Sequence, residues 1–401
     1  MIYMRKNGFF QVLGLMFLLS ACGQAEPESN GVLTVIQNKA VVLHDSIQQK
    51  EVCKNQYCEP NYTLYANFGR KRSPPHSDPV PIPIVNPPNA DVPPVSSIGT
   101  SGDLYDYAKN IMNTAEAWSV TEGDPEIIVA DIDSGMDLSH PDLVANLWTN
   151  PKESAADPGV DHDGNGYVND LHGYDFYANK PDPIDENGHG THTAGTIAAV
   201  RNNQGVIGVA PRVKVMPLRF LGPDGQGGTD GAIQAIYYAI HMGARVISAS
   251  WGGGGFSSLL AQAVKDAEDA GVVFVAAAGN DGRDISRFPT YPASFPNVLT
   301  VGATTAADQL AGFSNFGVNS VLIAAPGDRI YSTYLHQSYA TMSGTSMATP
   351  QVSGAVALAL SKNKSLMPKQ IRSAICGTAD PISTYGTQCG RINVGRFLKS
   401  I

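Results

Sequence analysis

Ser346 is the residue whose surroundings best suit a nucleophile. It ends the turn Ser343-Gly344-Thr345-Ser346, and the run from Gln351 to Leu360 that follows holds small and apolar residues without a charge. A helix that is apolar on every side is a buried helix. The first turn of a helix offers unpaired backbone N–H groups and the positive end of the helix dipole. A hydroxyl there is well placed to attack a carbonyl whose oxygen becomes negative, although a serine that only caps the helix has the same local pattern.

Two motifs earlier in the chain carry the side chains that a serine nucleophile needs. A neutral hydroxyl is a weak nucleophile and requires a base within hydrogen-bond reach. His189, in Gly188-His189-Gly190-Thr191-His192, can take up and return a proton near neutral pH. Asp133, in Ile132-Asp133-Ser134-Gly135, can accept from the other ring nitrogen and offset the imidazolium charge. The order Asp, His, Ser is one of three known for such a triad.

With these three motifs, the chain from about residue 105 to residue 401 resembles the subtilisin-like serine proteases. The resemblance implies a three-layer α/β domain in which a mostly parallel β-sheet is flanked by helices. It also implies an endopeptidase that cleaves protein or peptide substrates through an acyl-enzyme intermediate and needs no cofactor for the chemistry. In that family the first histidine of the motif is the base, so His189 receives this role. His192, three residues later on the same helix face, receives a packing role, since a zinc site lacks a third ligand.

The resemblance assigns further residues around the reacting bond. The negative oxygen of the tetrahedral intermediate is expected to bind the backbone N–H of Ser346 and the side-chain amide of Asn280. Gly225-Gln226-Gly227 and Ser250-Trp251-Gly252 are expected to form the two walls of the substrate groove, the first by pairing with the peptide as a strand. The Trp251 ring either shapes the pocket or packs in the core.

The same region alternates short apolar runs with helical patterns. Such runs are typical of strands buried on both faces of a parallel sheet. The predicted strands are residues 126–132, 213–221, 245–250, 272–278, 298–301 and 321–325. The predicted helices include residues 189–200, 229–242 and 257–270. Strands alternating with helices predict an α/β fold, whose functional groups gather at the carboxyl ends of the strands, where Asp133 and Asn280 stand.

Residues 1–22 have the pattern of an export signal. Arg5 and Lys6 precede an apolar run that begins at Phe9 and is too short to span a membrane. The run ends in Leu19-Ser20-Ala21-Cys22, which resembles a bacterial lipobox, whose cysteine is acylated and becomes the mature N-terminus. This implies an exported envelope lipoprotein held at a membrane by its acyl chains, in the outer membrane if the source is a diderm bacterium. The alternative is an ordinary signal peptide and a secreted protein.

Two segments separate this leader from the catalytic domain at residues 105–401. Residues 23–72 form a small N-terminal region, in which residues 32–36 and 40–43 predict two short strands around an Asn-Lys turn. The family usually carries a propeptide here, so the region is a candidate propeptide. Residues 73–104 are rich in proline, which excludes helix and sheet and favours an extended linker.

The chain has five cysteines, of which Cys22 is the odd one. Cys53 and Cys58 are near each other in sequence, and so are Cys376 and Cys389. Two local disulfides are therefore expected, in an oxidising compartment, and free thiols are the alternative.

The loop from Asp161 to Asp170, between the Asp133 and His189 motifs, is a candidate calcium site. Asp161, Asp163 and Asn165 place oxygens at alternate positions around a central glycine, as in an EF-hand loop. The glutamate expected at the twelfth position is absent, because residue 172 is His. A complete EF-hand is therefore not expected, and the alternatives are a structural calcium ion or a solvated acidic loop.

Composition and motif content bound the function. A hydrophobic content of 43% and a charged content of 16% support a sizeable buried core. The net charge of −9 disfavours a nucleic-acid partner, because there is no basic excess to neutralise phosphates. A Ser-Glu-Asp peptidase also uses a Gly-Thr-Ser turn but lacks the histidine motif. The remaining alternative is a catalytically inactive surface lipoprotein on a protease scaffold.

Overall fold

The computed structural model describes residues 32–36, 39–43, 58–66, 104, 106–154, 157, 159–382 and 386–401. Three predicted features lie outside the described residues: the signal segment with Cys22, Cys53 of the predicted Cys53–Cys58 disulfide, and the linker up to residue 103. The chain divides into two compact units, Met1–Asn61 and Tyr62–Ile401. No helix within the described residues is both long and apolar enough to cross a bilayer.

The first unit contains a small antiparallel sheet. Strands β1 (Val32–Ile36), β2 (Lys39–Leu43) and β3 (Cys58–Pro60) lie in the order β2-β1-β3. Ile36 pairs with Lys39 at the turn end of the β1–β2 hairpin. The prediction of two short strands is confirmed, with β2 beginning one residue earlier than expected.

The second unit is built around one large sheet. Its strands are β4 (Thr63–Ala66), β5 (Ile128–Asp133), β6 (Tyr174–Asp175), β7 (Lys180–Pro181), β8 (Lys214–Arg219), β9 (Gln226–Gly228), β10 (Val246–Ala249), β11 (Trp251–Gly252), β12 (Val273–Ala277), β13 (Leu299–Thr304), β14 (Ile323–Pro326), β15 (Ile330–Tyr334) and β16 (Ser338–Met342). Eight of them form a sheet in the order β14-β13-β12-β10-β5-β8-β6-β7. All its pairings are parallel except β6 with β7. The predicted mostly parallel sheet is confirmed.

Helices link and cover these strands. They are α1 (Tyr107–Ile111), α2 (Thr114–Trp118), α3 (His189–Ala198), α4 (Thr229–His241), α5 (Ser258–Asp269), α6 (Thr345–Lys362), α7 (Pro368–Thr378) and α8 (Val394–Lys399). The helices predicted at residues 189–200, 229–242 and 257–270 correspond to α3, α4 and α5. The sequence pattern did not indicate the β15–β16 hairpin. Polar residues recur along β16, none of its residues is buried, and the strand therefore contains no apolar run.

Helix α6 lies at the centre of the core. Its residues from Thr345 to Leu360 are all buried, and its apolar side chains join one cluster with those of β12, β13 and α3. Close packing explains Gly354, where an added Cβ atom would lie 2.7 Å from the Cβ atom of Val209 and 3.3 Å from the Ile197 carbonyl oxygen in α3. The absence of charge along this run therefore reflects burial on every side, as the sequence predicts.

The C-terminal disulfide is formed between Cys376 in α7 and Cys389, whose Cα atoms are 4.9 Å apart. Cys389 also donates its backbone N–H to Leu322, beside the edge strand β14. The bridge thus ties α7 to the last segment that packs on the sheet.

Candidate active site

Asp133 and His189 meet at the carboxyl end of the sheet. Asp133 is the last residue of β5, and His189 is the first residue of α3. Asp133 Oδ1 lies 2.7 Å from His189 Nδ1, and both side chains are fully buried. The Ser134 backbone N–H also donates to Asp133 Oδ1, at 2.7 Å. The carboxylate therefore has a fixed orientation and holds the imidazole through one ring nitrogen.

A third carboxylate, Asp185, fastens the turn that precedes His189. Its Oδ1 accepts from the Ser134 hydroxyl at 2.9 Å and from the backbone N–H groups of Asn187 and Gly188. Its Oδ2 accepts from both the backbone N–H and the hydroxyl of Thr191. Burial raises the pKa of Asp185, although these donors act in the opposite direction. Sequence reasoning missed this residue, and the signal was an aspartate four residues before the histidine.

Close contact between β5 and α3 depends on glycine at position 190. Its backbone N–H donates to the Ser134 hydroxyl at 2.9 Å. A Cβ atom at Gly190 would lie 2.1 Å from the Gly135 carbonyl oxygen. Ser134 thus connects Asp185 to the first turn of α3.

Ser346 lies in the first turn of α6 and is bound to the end of β10. Its hydroxyl donates to the Ser250 carbonyl at 2.8 Å, and the Ser250 hydroxyl donates to the Ser346 carbonyl at 3.0 Å. Both serines are buried. Since β10 is the neighbour of β5 in the sheet, this pair places Ser346 at the same edge as Asp133.

Asn280 lies beside the same helix start. Its Oδ1 accepts from the backbone N–H of Thr345 at 2.8 Å and from the Thr345 hydroxyl at 3.0 Å. Its Nδ2 is buried and has no hydrogen-bond partner among the described residues. A buried amide donor without a partner costs free energy, so this group is suited to an oxygen that arrives with a ligand.

His192 occupies a different environment from His189, three residues away. Its Nε2 lies 3.1 Å from the Ile330 carbonyl and 3.2 Å from the Ala340 carbonyl, on the β15–β16 hairpin. Burial, followed by the charge of His189, lowers the pKa of His192 to about 3. The ring is therefore neutral at physiological pH and donates to the hairpin, in agreement with the predicted packing role.

The two predicted groove walls flank β4. Leu64 pairs with Gly227 and Tyr65 with Gln226 in antiparallel register, and the Ala66 backbone N–H donates to the Gly225 carbonyl at 2.9 Å. On the other side, Tyr65 pairs with Gly252. The middle strand of this three-stranded sheet is thus an extended segment of the chain itself, with Leu64 buried and Tyr65 46% exposed.

Trp251 contributes its backbone to this groove, where it pairs with Ala66. Its ring is fully buried, and its Nε1 donates to the Ile132 carbonyl at 2.7 Å. The ring also meets Phe220 edge-on, with centroids 4.9 Å apart. Of the two alternatives for this side chain, packing in the core behind the groove is the one observed.

Two carboxylates of the acidic loop lie close to a third, buried carboxylate from outside the loop. Oxygens of Glu153, Asp161 and Asp163 lie within 4.8 Å of one another. Burial raises the pKa of Asp161. Backbone N–H donors, which include those of Gly164 and Gly166, outweigh this effect and bring the pKa below its usual value. Asn165 directs its Nδ2 to Asp170, at 2.8 Å, and its Oδ1 accepts from a backbone N–H. Glu153 lies outside the loop and was not found from its pattern.

Comparisons with known proteins show a serine endopeptidase, and the parallel sheet and the residues at its carboxyl edge fit this class. A family model described as the subtilase family matches residues 124–393, and the chain belongs to that family. The thermophilic serine proteinase of Bacillus sp. (strain AK1) is 42% identical over 292 residues, which are 72% of this chain and 66% of that protein. Thermitase of Thermoactinomyces vulgaris is 40% identical over 290 residues, 72% of this chain and 93% of thermitase. Subtilisin BL of Lederbergia lenta is 42% identical over 218 residues, 54% of this chain and 80% of that protein.

Proposed function

We propose that this chain hydrolyses peptide bonds with Ser346 as nucleophile, His189 as base and Asp133 as the group that orients the base. The observation that carries the proposal is the buried 2.7 Å contact between Asp133 and His189 Nδ1, which leaves Nε2 as the nitrogen for proton transfer. The Ser346 hydroxyl exchanges the Ser250 carbonyl for this nitrogen and attacks the scissile carbonyl as His189 takes its proton. The leaving amine then receives that proton, and water releases the acyl group by the reverse steps.

The oxyanion of both steps receives two donors. One is the Ser346 backbone N–H at the start of α6, and the other is Asn280 Nδ2, which has no partner among the described residues. Each donor of this kind contributes roughly 3–4 kcal/mol to the transition state, a magnitude measured in subtilisin itself.

The N-terminal region up to residue 72 acts as a propeptide that occupies the groove. The support is β4, which lies between β9 and β11 as a bound peptide would. Ala66 pairs with Trp251, next to Ser250, and Ser250 contacts Ser346. Self-cleavage is therefore expected within the few residues that follow Ala66.

The experiment uses the chain without residues 1–22, beside its Ser346→Ala variant. Both are incubated with casein, and mass spectrometry reads the casein fragments and the N-terminus of each protein. Wild type should degrade casein and acquire a new N-terminus after Ala66, whereas the variant should do neither. Equal labelling of both proteins by a fluorophosphonate probe would contradict the proposal and favour an inactive scaffold.

The proposed location is the cell envelope, after export and acylation of Cys22. The support is the lipobox pattern, together with a disulfide between Cys376 and Cys389, which fits an oxidising compartment. Metabolic labelling with a fatty acid should mark the full chain and not a Cys22→Ala variant. A Cys22→Ala protein that still partitions with membranes would contradict anchoring by this residue.

A calcium ion at Glu153, Asp161 and Asp163 is proposed as a structural ligand. Calcium binds six to eight oxygens, and this donor set consists of carboxylate oxygens alone. The ion would offset the mutual repulsion of the three carboxylates and hold the loop between the Asp133 and His189 motifs.

A further inference from the structure

The bound segment continues for one residue before β4. The carbonyl of Tyr62 accepts from the Thr229 backbone N–H at 3.0 Å and from the Thr229 hydroxyl at 2.9 Å. These two bonds lie at the start of α4, directly after β9. The groove therefore holds backbone from Tyr62 to Ala66, and Tyr62 is held through two hydrogen bonds to its carbonyl.

The ring of Tyr62 rests on bare backbone. Gly254 and Gly255, which we call the glycine platform, follow the β11 wall after one further glycine, Gly253. A Cβ atom at Gly255 would lie 2.7 Å from Cζ of the Tyr62 ring and 3.0 Å from its hydroxyl oxygen. A Cβ atom at Gly254 would lie 2.8 Å from the Cβ atom of Tyr62. Any side chain on the platform would thus displace the ring.

The two platform glycines differ in what their backbone requires. Gly254 has a φ of 64°, a left-handed conformation that favours glycine whether or not a ring is present. Gly255 is not among the residues with positive φ, so its backbone accepts any L-residue. Contact with the aromatic ring is the feature of the structure that explains the missing side chain at Gly255.

We propose that the glycine platform is a binding site for an aromatic side chain of peptide substrates. This side chain belongs to the substrate residue two positions before the one that takes the place of Leu64. The inference rests on the proposed endopeptidase function and names a substrate class for it. Peptides of that class have an aromatic residue in the place of Tyr62, a buried apolar residue in the place of Leu64 and a small residue in the place of Ala66. The two positions between these accept any residue. The alternation follows from the strand, since residues two apart lie on one face.

The burial along the segment fits this pattern. Leu64 is 1% exposed and pairs with Gly227, where a Cβ atom would lie 2.8 Å from Cδ2 of Phe220. The Ala66 side chain is also buried, whereas Tyr65 is nearly half exposed. Selection is therefore expected at the first, third and fifth positions and not at the fourth.

The test compares two fluorogenic peptides with the self-processed enzyme. One spans the sequence of residues 60–70, and the other carries Ala in the place of Tyr62. Wild type should cleave the tyrosine peptide with a kcat/KM about tenfold higher, because packing an aromatic ring against the groove contributes on this scale. The Gly255→Ala variant should bring this ratio close to one, since its Cβ atom overlaps the ring.

Gly312→Ala is the matched control, because a Cβ atom there meets nothing within 4 Å, and this variant should keep the tenfold ratio. A wild-type ratio near one would overturn the inference, as would a Gly255→Ala variant that slows both peptides equally. Failure of every enzyme to cleave either peptide, with casein also intact, would instead refute the proposed function.

Discussion

Two regions of this protein concentrate carboxylates, and they hold them in opposite ways. At the carboxyl end of β5, Asp131, Asp133 and Asp185 are all buried. In the acidic loop, Asp161 and Asp163 are partly exposed. Burial raises the pKa of Asp131 and Asp185, whereas backbone donors keep that of Asp161 below its usual value despite the burial that opposes them.

The difference shows that hydrogen-bond donors decide what each carboxylate can do. Asp185 accepts five bonds, and both of its oxygens are used. Asp131 accepts one, from the Thr193 hydroxyl at 2.7 Å, and its Oδ1 has no partner among the described residues. Asp133 faces an imidazole, which can carry the opposite charge. Three buried carboxylates within one cluster thus have three different roles.

The largest effect is expected at the carboxylate that faces His189. Asp133→Asn should lower kcat by about 10⁴-fold, because an amide cannot hold the productive tautomer of the ring. The magnitude comes from the same substitution in a serine protease of unrelated fold. Peptide hydrolysis and thermal unfolding are both measured, and the melting temperature should change little. Retention of more than a tenth of the wild-type kcat would contradict the role of Asp133.

A smaller but broad effect is expected at Asp185. Asp185→Asn turns an NH₂ group toward donors that need an acceptor, so it should reduce the free energy of unfolding by about 2–3 kcal/mol. It should also lower kcat more than it raises KM, since the turn before His189 loosens. Denaturant unfolding and steady-state kinetics test this, with Asp269→Asn on the exposed end of α5 as the control. Unchanged stability would mean that these bonds do not hold the turn.

Metal binding at the acidic loop should change the stability of the protein and leave its catalytic rate unchanged. Calcium at a hundredfold excess over its Kd should add about 2.7 kcal/mol to the free energy of unfolding, and a chelator should remove this gain. Glu153→Gln should weaken the calcium-dependent shift in melting temperature. Initial rates measured well below that temperature should stay the same. Equal melting curves with calcium and with chelator would exclude the site.

The smallest effect is expected at Asp131, and its sign is opposite to that of Asp185. Burial, then the charge of Asp133, raises the pKa of Asp131, so the folded protein holds a proton that the unfolded chain releases above a pH of about 3.9. The free energy of unfolding therefore falls as pH rises from there toward the folded pKa. Asp131→Asn removes this loss.

The Asp131→Asn variant should be more stable than wild type at pH 8, with a smaller gain at pH 4, as read from denaturant unfolding at both values. Its amide oxygen still accepts from Thr193, and Asp133 and Asp185 are the other carboxylates near this position. A loss of stability at pH 8 as large as that of Asp185→Asn would show that the two carboxylates are held alike.

Much of this fold and site follows from sequence patterns alone. Six of the eight strands of the large sheet lie where apolar runs predict them, because strands buried on both faces are rich in apolar residues. The two-residue strands β6 and β7 are too short to contain such a run, and no prediction covered them. The burial of α6 follows from its uncharged run. The pairing of Asp133 with His189 was expected from their motifs, and the 2.7 Å contact agrees with it. Asp185 and Glu153 were not found, because each acts through groups brought close only by folding.

The sequence by itself determined six strands of the large sheet, the helices α3 to α5, the three motifs at the sheet edge and the family, since each depends on residues that are neighbours along the chain. Only the tertiary structure decided that Trp251 packs behind the groove, that β4 lies between β9 and β11, and that Tyr62 rests on Gly255. These contacts join segments far apart in sequence, and the pairing of β4 with its two neighbours is made by backbone groups that every residue type carries. No local pattern of residues encodes them.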